Sequence, residues 1–174
     1  MKKLIPVLGL CAIIFAACGS SEDKKEAKST SDTTLLSEAK AKKVTDPVTG
    51  KMTLLGEAKL GQPINIKFSV CNNTDTVAKF CKWHTPFERL MSKYLDVAME
   101  DHVDVNYTGA MAKRIMPPPA DSYTMLKKGD STSANFNLND GYAITKAGSY
   151  TIKYNAATIS GIVVTDSLKI TVSK

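Results

Sequence analysis

Nine residues, Phe80 to Glu88, read FCKWHTPFE and bring together a cysteine, the chain's single tryptophan, one of its two histidines and a glutamate. Three chemistries could draw on such a set. A zincin-type metallopeptidase needs two histidines one helical turn apart with a glutamate base, HExxH. Here His84 is followed by TPFE and His102 by VDVN. A structural zinc site could start from Cys81 and His84, but it needs four ligands, and no second Cys/His pair is spaced to complete it. A Cys81–His84 nucleophilic dyad is the third, and in an exported chain a cysteine with another in reach is more often oxidised. No catalytic group, metal ligand or cofactor is therefore assigned. The stretch reads instead as packing and capping. Thr85-Pro86-Phe87-Glu88 has the form of a capping box: Thr85 accepts from the Glu88 N–H, Glu88 returns the bond, and Pro86 takes the first helical position. One short helical turn is expected after Trp83, running through FERLM with Phe87, Leu90 and Met91 toward the core and His84 half-exposed at the junction.

The elements that would position this turn are strands. Apolar residues alternate with period two at Ile64, Ile66, Phe68 and Val70, from Val77 through Trp83, and at Leu95, Val97 and Met99. The pattern returns at Ala134, Phe136 and Leu138, at Tyr150, Ile152 and Tyr154, and at Leu168, Ile170 and Val172. NNTD, KKGD, NDG and Ala147-Gly148 supply the turns between them. About seven short strands at this spacing predict an all-β fold, an immunoglobulin-like antiparallel sandwich. Tyr150, two residues after Gly148 at a strand start, has the position of a tyrosine corner. Trp83 is expected on the third strand, where such folds bury an aromatic. The inter-sheet disulfide of antibody domains is missing, because the last strands contain no cysteine.

The chain has 174 residues, 43% hydrophobic and 23% charged, enough for one ordinary domain plus flanking segments. Met1-Lys2-Lys3 followed by the apolar run Leu4 to Ala17 reads as a bacterial secretory signal, residues 1–17, too short to span a bilayer. It ends FAAC, which resembles the lipobox of bacterial lipoproteins and makes Cys18 the expected lipidated N-terminus. Two or more acyl chains suffice for stable anchoring, so the membrane is an expected partner and the cell envelope the expected location, most naturally the outer membrane. The polar, aromatic-free stretch 18–51 reads as a flexible tether, and its SSED resembles the acidic surface-export signals of some bacterial lipoproteins. The folded domain is expected over 52–174. The formal charge of +6 includes Lys2 and Lys3, so the mature chain carries about +4, with acidic and basic residues interspersed. No basic helix or zinc-finger spacing appears, and no nucleic-acid partner is expected.

Two further expectations concern specific residues. Cys71 and Cys81 flank the NNTDT turn on what read as adjacent antiparallel strands, which would let an oxidising envelope join them. Closing that loop would contribute about 2–3 kcal/mol; the alternative is two buried thiols. The stretch AKRIMPPPADSY offers a partner contact: Lys113 and Arg114 for charge, Ile115 and Met116 as apolar anchors, and Pro117, Pro118 and Pro119 as a stiff polyproline segment. Its alternative is a rigid crossover between strands.

The order of motifs over residues 60–155 resembles the N-terminal, non-catalytic domain of bacterial deuterolysin-type (aspzincin) metallopeptidases. That region reads as strand, N, W-x-TP-x-E, Y-x-G-x-x-x-KR-x-x-P, an acidic-plus-Tyr step, a Gly turn and Y-x-x-x-x-G-x-Y. The matching positions are Asn72, Trp83, Thr85, Pro86, Glu88, Tyr107, Gly109, Lys113, Arg114, Pro117, Asp121, Tyr123, Gly129, Tyr142, Gly148 and Tyr150. Two positions depart: Arg89 stands where the family often has glycine after TP-x-E, and His102 replaces a glycine in the next turn. The zinc-binding catalytic domain has no counterpart before Lys174, so the resemblance implies a pro-region-like module without peptidase activity. It implies a lipid-anchored, non-catalytic module that binds, inhibits or assists an exported metallopeptidase. The alternative is a structural or adhesive surface module with no such partner.

Overall fold

The computed structural model describes residues 47–174; the signal, the tether up to residue 46 and Cys18 lie outside the described residues. Among the described residues nine strands form in order: β1 Val48–Leu54, β2 Ala58–Lys59, β3 Asn65–Asn72, β4 Ala78–Cys81, β5 Leu95–Met99, β6 Tyr123–Leu126, β7 Ser131–Asn137, β8 Gly148–Tyr154 and β9 Leu168–Ser173. One sheet has the order β1-β3-β7, a second β2-β9-β8-β5, and β4 pairs with β6 in a two-stranded ladder. The fold is an all-β sandwich. All strand pairs are antiparallel except β2 with β9, where Ala58 and Lys59 run parallel to Val172 and Ser173.

Period-two alternation decides which face of each strand is covered. On β3, Ile66, Phe68 and Val70 are fully buried while Asn65 and Lys67 face out. Leu95 and Val97 on β5, Tyr150 and Ile152 on β8, and Ile170 and Val172 on β9 supply the opposite layer of one hydrophobic core. Each such side chain contributes about 1.5–3 kcal/mol over its exposed state. The tyrosine corner forms as expected: the Tyr150 hydroxyl donates to the Lys146 carbonyl at 2.7 Å. Gly50 lets residues 162–164 lie against β1. A Cβ there would stand 2.8 Å from Ile162 Cγ2 and Val164 Cγ2, and the close approach allows the Gly50 N–H to reach the Val163 carbonyl at 2.9 Å.

Asn72, at the end of β3, is wholly buried. Its Nδ2 lies 2.8 Å from the Thr76 carbonyl and 3.0 Å from those of Leu126 and Lys127, while its Oδ1 accepts from the Thr74 N–H at 2.9 Å. A buried amide so satisfied fixes the 73–76 turn and the end of β6 to one strand terminus.

Several expectations change. The domain begins by Val48, inside the stretch read as tether, because VTGKMTL pairs along its whole length with β3. Trp83 is not on a strand; β4 ends at Cys81, and Trp83 is half-buried in the following turn. The Cys71–Cys81 disulfide is absent, and both cysteines are free thiols. β3 and β4 belong to different sheets, so the adjacency assumed for them fails. Cys71 shares the outward parity of Lys67 and Ser69 and is half-buried, whereas Cys81 is fully buried. Alkylation of the unreduced mature chain should label Cys71 in the native state and both Cys71 and Cys81 after denaturation; a denatured chain in which neither reacts would restore the disulfide.

Candidate functional site

The helical turn after Trp83 is a three-residue 3-10 turn, Pro86–Glu88, rather than a run through FERLM. Its capping is displaced by one residue from the box the sequence suggests. Thr85 Oγ1 accepts from the Phe87 N–H at 3.2 Å and donates to the Lys82 carbonyl at 2.5 Å. The Glu88 Oε1 accepts from the backbone N–H of His84 at 2.7 Å, not from that of Thr85. The tighter 3-10 geometry shortens the reach of both side chains. Phe87 packs against Phe80 with ring centroids 5.0 Å apart, and Leu90 is buried.

His84 is half-buried as expected and is hydrogen-bonded through its ring Nδ1 and its backbone. Its Nδ1 lies 3.0 Å from Ser92 Oγ, and its carbonyl accepts from the Tyr154 hydroxyl at 3.0 Å. Partial burial holds its pKa below the ordinary value, with the nearby Glu88 carboxylate opposing and the Arg114 guanidinium reinforcing that shift. Burial likewise pushes the Tyr94, Tyr142 and Tyr154 phenols well above their ordinary range, so these are neutral structural groups. Cys81, fully buried, offers no accessible nucleophile beside the histidine. Among the described residues no group of three or more His, Cys, Asp or Glu side chains is placed to hold a metal ion.

The structure divides the predicted contact stretch in two. Arg114 is turned inward: a terminal guanidinium nitrogen pairs with Glu88 Oε2, and the guanidinium lies 4.8 Å over the Trp83 ring centroid. Its Nε finds no partner, so the hold rests on that terminal nitrogen and the ring. Arg114 is thus a fastening, which corrects its reading as a free contact. Lys113, Pro117 and Pro119 are exposed and Pro118 is half-buried, while Ile115 is 82% exposed, Met116 66% and nearby Met111 71%. No helix or strand interrupts the chain from residue 100 to 119. The loop is nevertheless fastened at several points. The Tyr107 hydroxyl lies 2.8 Å from the Leu90 carbonyl and 2.7 Å from that of Ala110, and the Ala112 N–H donates to the Met91 carbonyl at 2.8 Å. Gly109 leaves room for that phenol, since a Cβ there would stand 2.6 Å from the Tyr107 oxygen.

Most of the motif positions therefore serve shape. Tyr142 donates to the Leu95 carbonyl at 2.5 Å in the core, Tyr123 carries the Lys79 ammonium 4.7 Å over its ring, and Gly129 turns with φ +69°. Among the described non-glycine residues, His84, Arg89 and His102 hold positive φ, 57°, 70° and 62°. The Glu88–Arg114–Trp83 fastening was not legible in the sequence, because Glu88 and Arg114 stand 26 residues apart. A second feature it did not anticipate is a groove of about 520 Å³ on the outer side of β5, lined by Lys93, Asp96, Glu100, His102, Asp104 and Lys153 among others.

No protein-family model matches the chain, and no curated protein matches it. Among solved structures it is similar to a β-glucosidase from Listeria innocua, at 13% identity and TM-score 0.35, over 73% of this chain and 16% of that one. A mutant form of that enzyme in complex with laminaribiose gives 14% identity and TM-score 0.33 over the same shares. A likeness this distant says nothing of activity.

Two outcomes follow from the geometry. Arg114→Ala should destabilise the domain by about 1–2 kcal/mol through the lost ion pair and ring contact, read by denaturant unfolding, with Arg114→Lys intermediate because it cannot reproduce the planar stack. Arg89, at φ 70° and ψ −176°, occupies backbone space suited to glycine; relief of strain in Arg89→Gly should raise stability by ~1 kcal/mol after the unfolded-state entropy cost. Unchanged or lowered stability would show that the position is unstrained.

Proposed function

We propose that the protein is a lipid-anchored, non-catalytic binding module of the bacterial envelope, held to the membrane through Cys18, that engages an exported metallopeptidase through the 110–119 loop. One observation carries the reading. The side chains that could do chemistry are largely consumed by internal bonds, as with His84, Glu88 and Arg114, whereas Met111, Ile115 and Met116 project exposed from a single loop. Exposed apolar side chains concentrated on one polar-flanked loop mark an interaction surface. The identity of the partner class comes from the motif order shared with aspzincin pro-regions. Such a module could shield the enzyme's cleft or assist its folding.

The purified mature chain, mixed with an aspzincin-type metallopeptidase, should lower turnover of a peptide substrate or raise the yield of refolded enzyme. Ile115→Ser with Met116→Ser should reduce that effect while the melting temperature stays nearly unchanged, because exposed residues matter little to the core. Absence of any effect, with only envelope scaffold proteins recovered from membranes, would favour a structural or adhesive module.

A further inference from the structure

We propose that two copies of the chain join edge to edge through β7, each becoming the next strand of the other's β1-β3-β7 sheet. The inference uses neither the 110–119 loop nor the peptidase reading.

β7 ends its sheet. Its register with β3 is unbroken, and two bonds just beyond its ends fix its phase: the Asn72 N–H donates to the Asp130 carbonyl at 3.0 Å and the Leu138 N–H to the Ile64 carbonyl at 2.9 Å. In an antiparallel ladder alternate residues turn both backbone groups toward the same neighbour. Thr132, Ala134 and Phe136 therefore bond to β3, and Ser131, Ser133, Asn135 and Asn137 direct their N–H and C=O groups away from it. Among the described residues no other backbone group bonds to that outer edge; the Pro86–Glu88 turn packs against β7 without doing so.

The other edges of the two larger sheets are short or covered. β2 has two residues. β5 is covered by the chain that follows it, with the Met99 N–H on the Val103 carbonyl at 2.9 Å and the Val105 N–H on the Val97 carbonyl at 2.8 Å. β1 is met by Val163 at Val48 and Gly50. β7 is seven residues long, and STSANFN contains no proline and no charge, the residues that ordinarily keep an open edge from pairing.

This edge is complementary to itself. An antiparallel pairing centred on Ala134 sets Ser133 opposite Asn135 and Ser131 opposite Asn137 of the second copy. All the outward-directed residues then exchange backbone bonds, and their side chains meet as Ser–Asn pairs on the solvent face. The flanks agree in charge: KKGD before β7 is net positive and LND after it is negative, and the two-fold axis brings one beside the other. One strand from each copy buries less surface than a stable dimer interface, so association is expected at roughly 100 μM in solution. Copies held to one membrane through Cys18, as proposed above, would meet at a higher effective concentration.

The test is sedimentation equilibrium on the mature chain, made unacylated as Cys18→Ser and kept reduced. The parent should show a monomer–dimer equilibrium and no larger species. Ser133→Lys/Asn135→Lys sets lysine against lysine in both central pairs and should weaken association about tenfold or more. Ser133→Lys/Asn135→Glu sets lysine against glutamate in those same pairs and should restore it. Ser133→Pro deletes one outward N–H and no bond to β3, and should weaken association likewise. Both substituted side chains are exposed, so the melting temperature of the monomer should change little. A parent that stays monomeric up to about 500 μM overturns the proposal and leaves the edge to another protein's strand or to none. So does a Lys/Lys variant that dimerises as well as the parent, or a Lys/Glu variant no better than Lys/Lys. Each of these results leaves the peptidase reading of the loop standing, and failure of peptidase binding leaves this dimer standing.

Discussion

The Glu88 carboxylate joins the turn after β4 to the long loop, beside the Tyr107–Leu90 and Ala112–Met91 hydrogen bonds. One oxygen accepts the His84 backbone N–H and closes the turn after β4; the other holds Arg114, which lies on the Trp83 ring. The side chain of Glu88 is 13% exposed and that of Arg114 26%, so the pair is partly buried and less screened than a surface ion pair. Backbone on both sides of the turn is correspondingly forced, with positive φ at His84 and Arg89. Release of this carboxylate would loosen the end of the turn and the Arg114 side of the loop, while Tyr107 and Ala112 still hold the loop to Leu90 and Met91.

Such an arrangement shows where a stretch rich in reactive residue types spends its side chains. Trp83 supplies a ring for a cation, His84 a hydrogen-bond partner for Ser92, and Cys81 a buried filler for the core. Residue type suggests what a side chain could do; its bonds show what is left for it to do. Among the groups the scaffold leaves exposed are Met111, Ile115 and Met116, on a loop without regular structure.

Much of the sandwich was legible because burial writes itself into sequence with the period of the strand. β3, β5, β8 and β9 alternate cleanly, and the tyrosine corner follows from the position of Tyr150 after Gly148. β1 was hidden because Gly50 and Lys51 look like turn or linker residues, whereas Gly50 is there for close contact with residues 162–164. β2 is two residues long and β6 four, with Met125 pointing out, so neither carries a readable period. The disulfide failed on parity and topology together: Cys71 faces outward on one sheet, and Cys81 is buried on another ladder. Local spacing suggests adjacency across a turn, but only the full strand order decides which sheet each strand joins. Of the contact stretch, the exposed apolar tip was readable from composition. The inward turn of Arg114 was not, since its partners are set by folding rather than by sequence neighbourhood.

Amide hydrogen exchange on the full mature chain, with and without an aspzincin-type metallopeptidase, tests most directly whether the scaffold exists to present this loop. Added protection is expected at the amides of Met111 to Met116, with no change in the Trp83 to Glu88 turn, which is already fastened in the free protein. Protection that appears elsewhere, for instance along the outer side of β5, while Met111 to Met116 exchange as before, would contradict it.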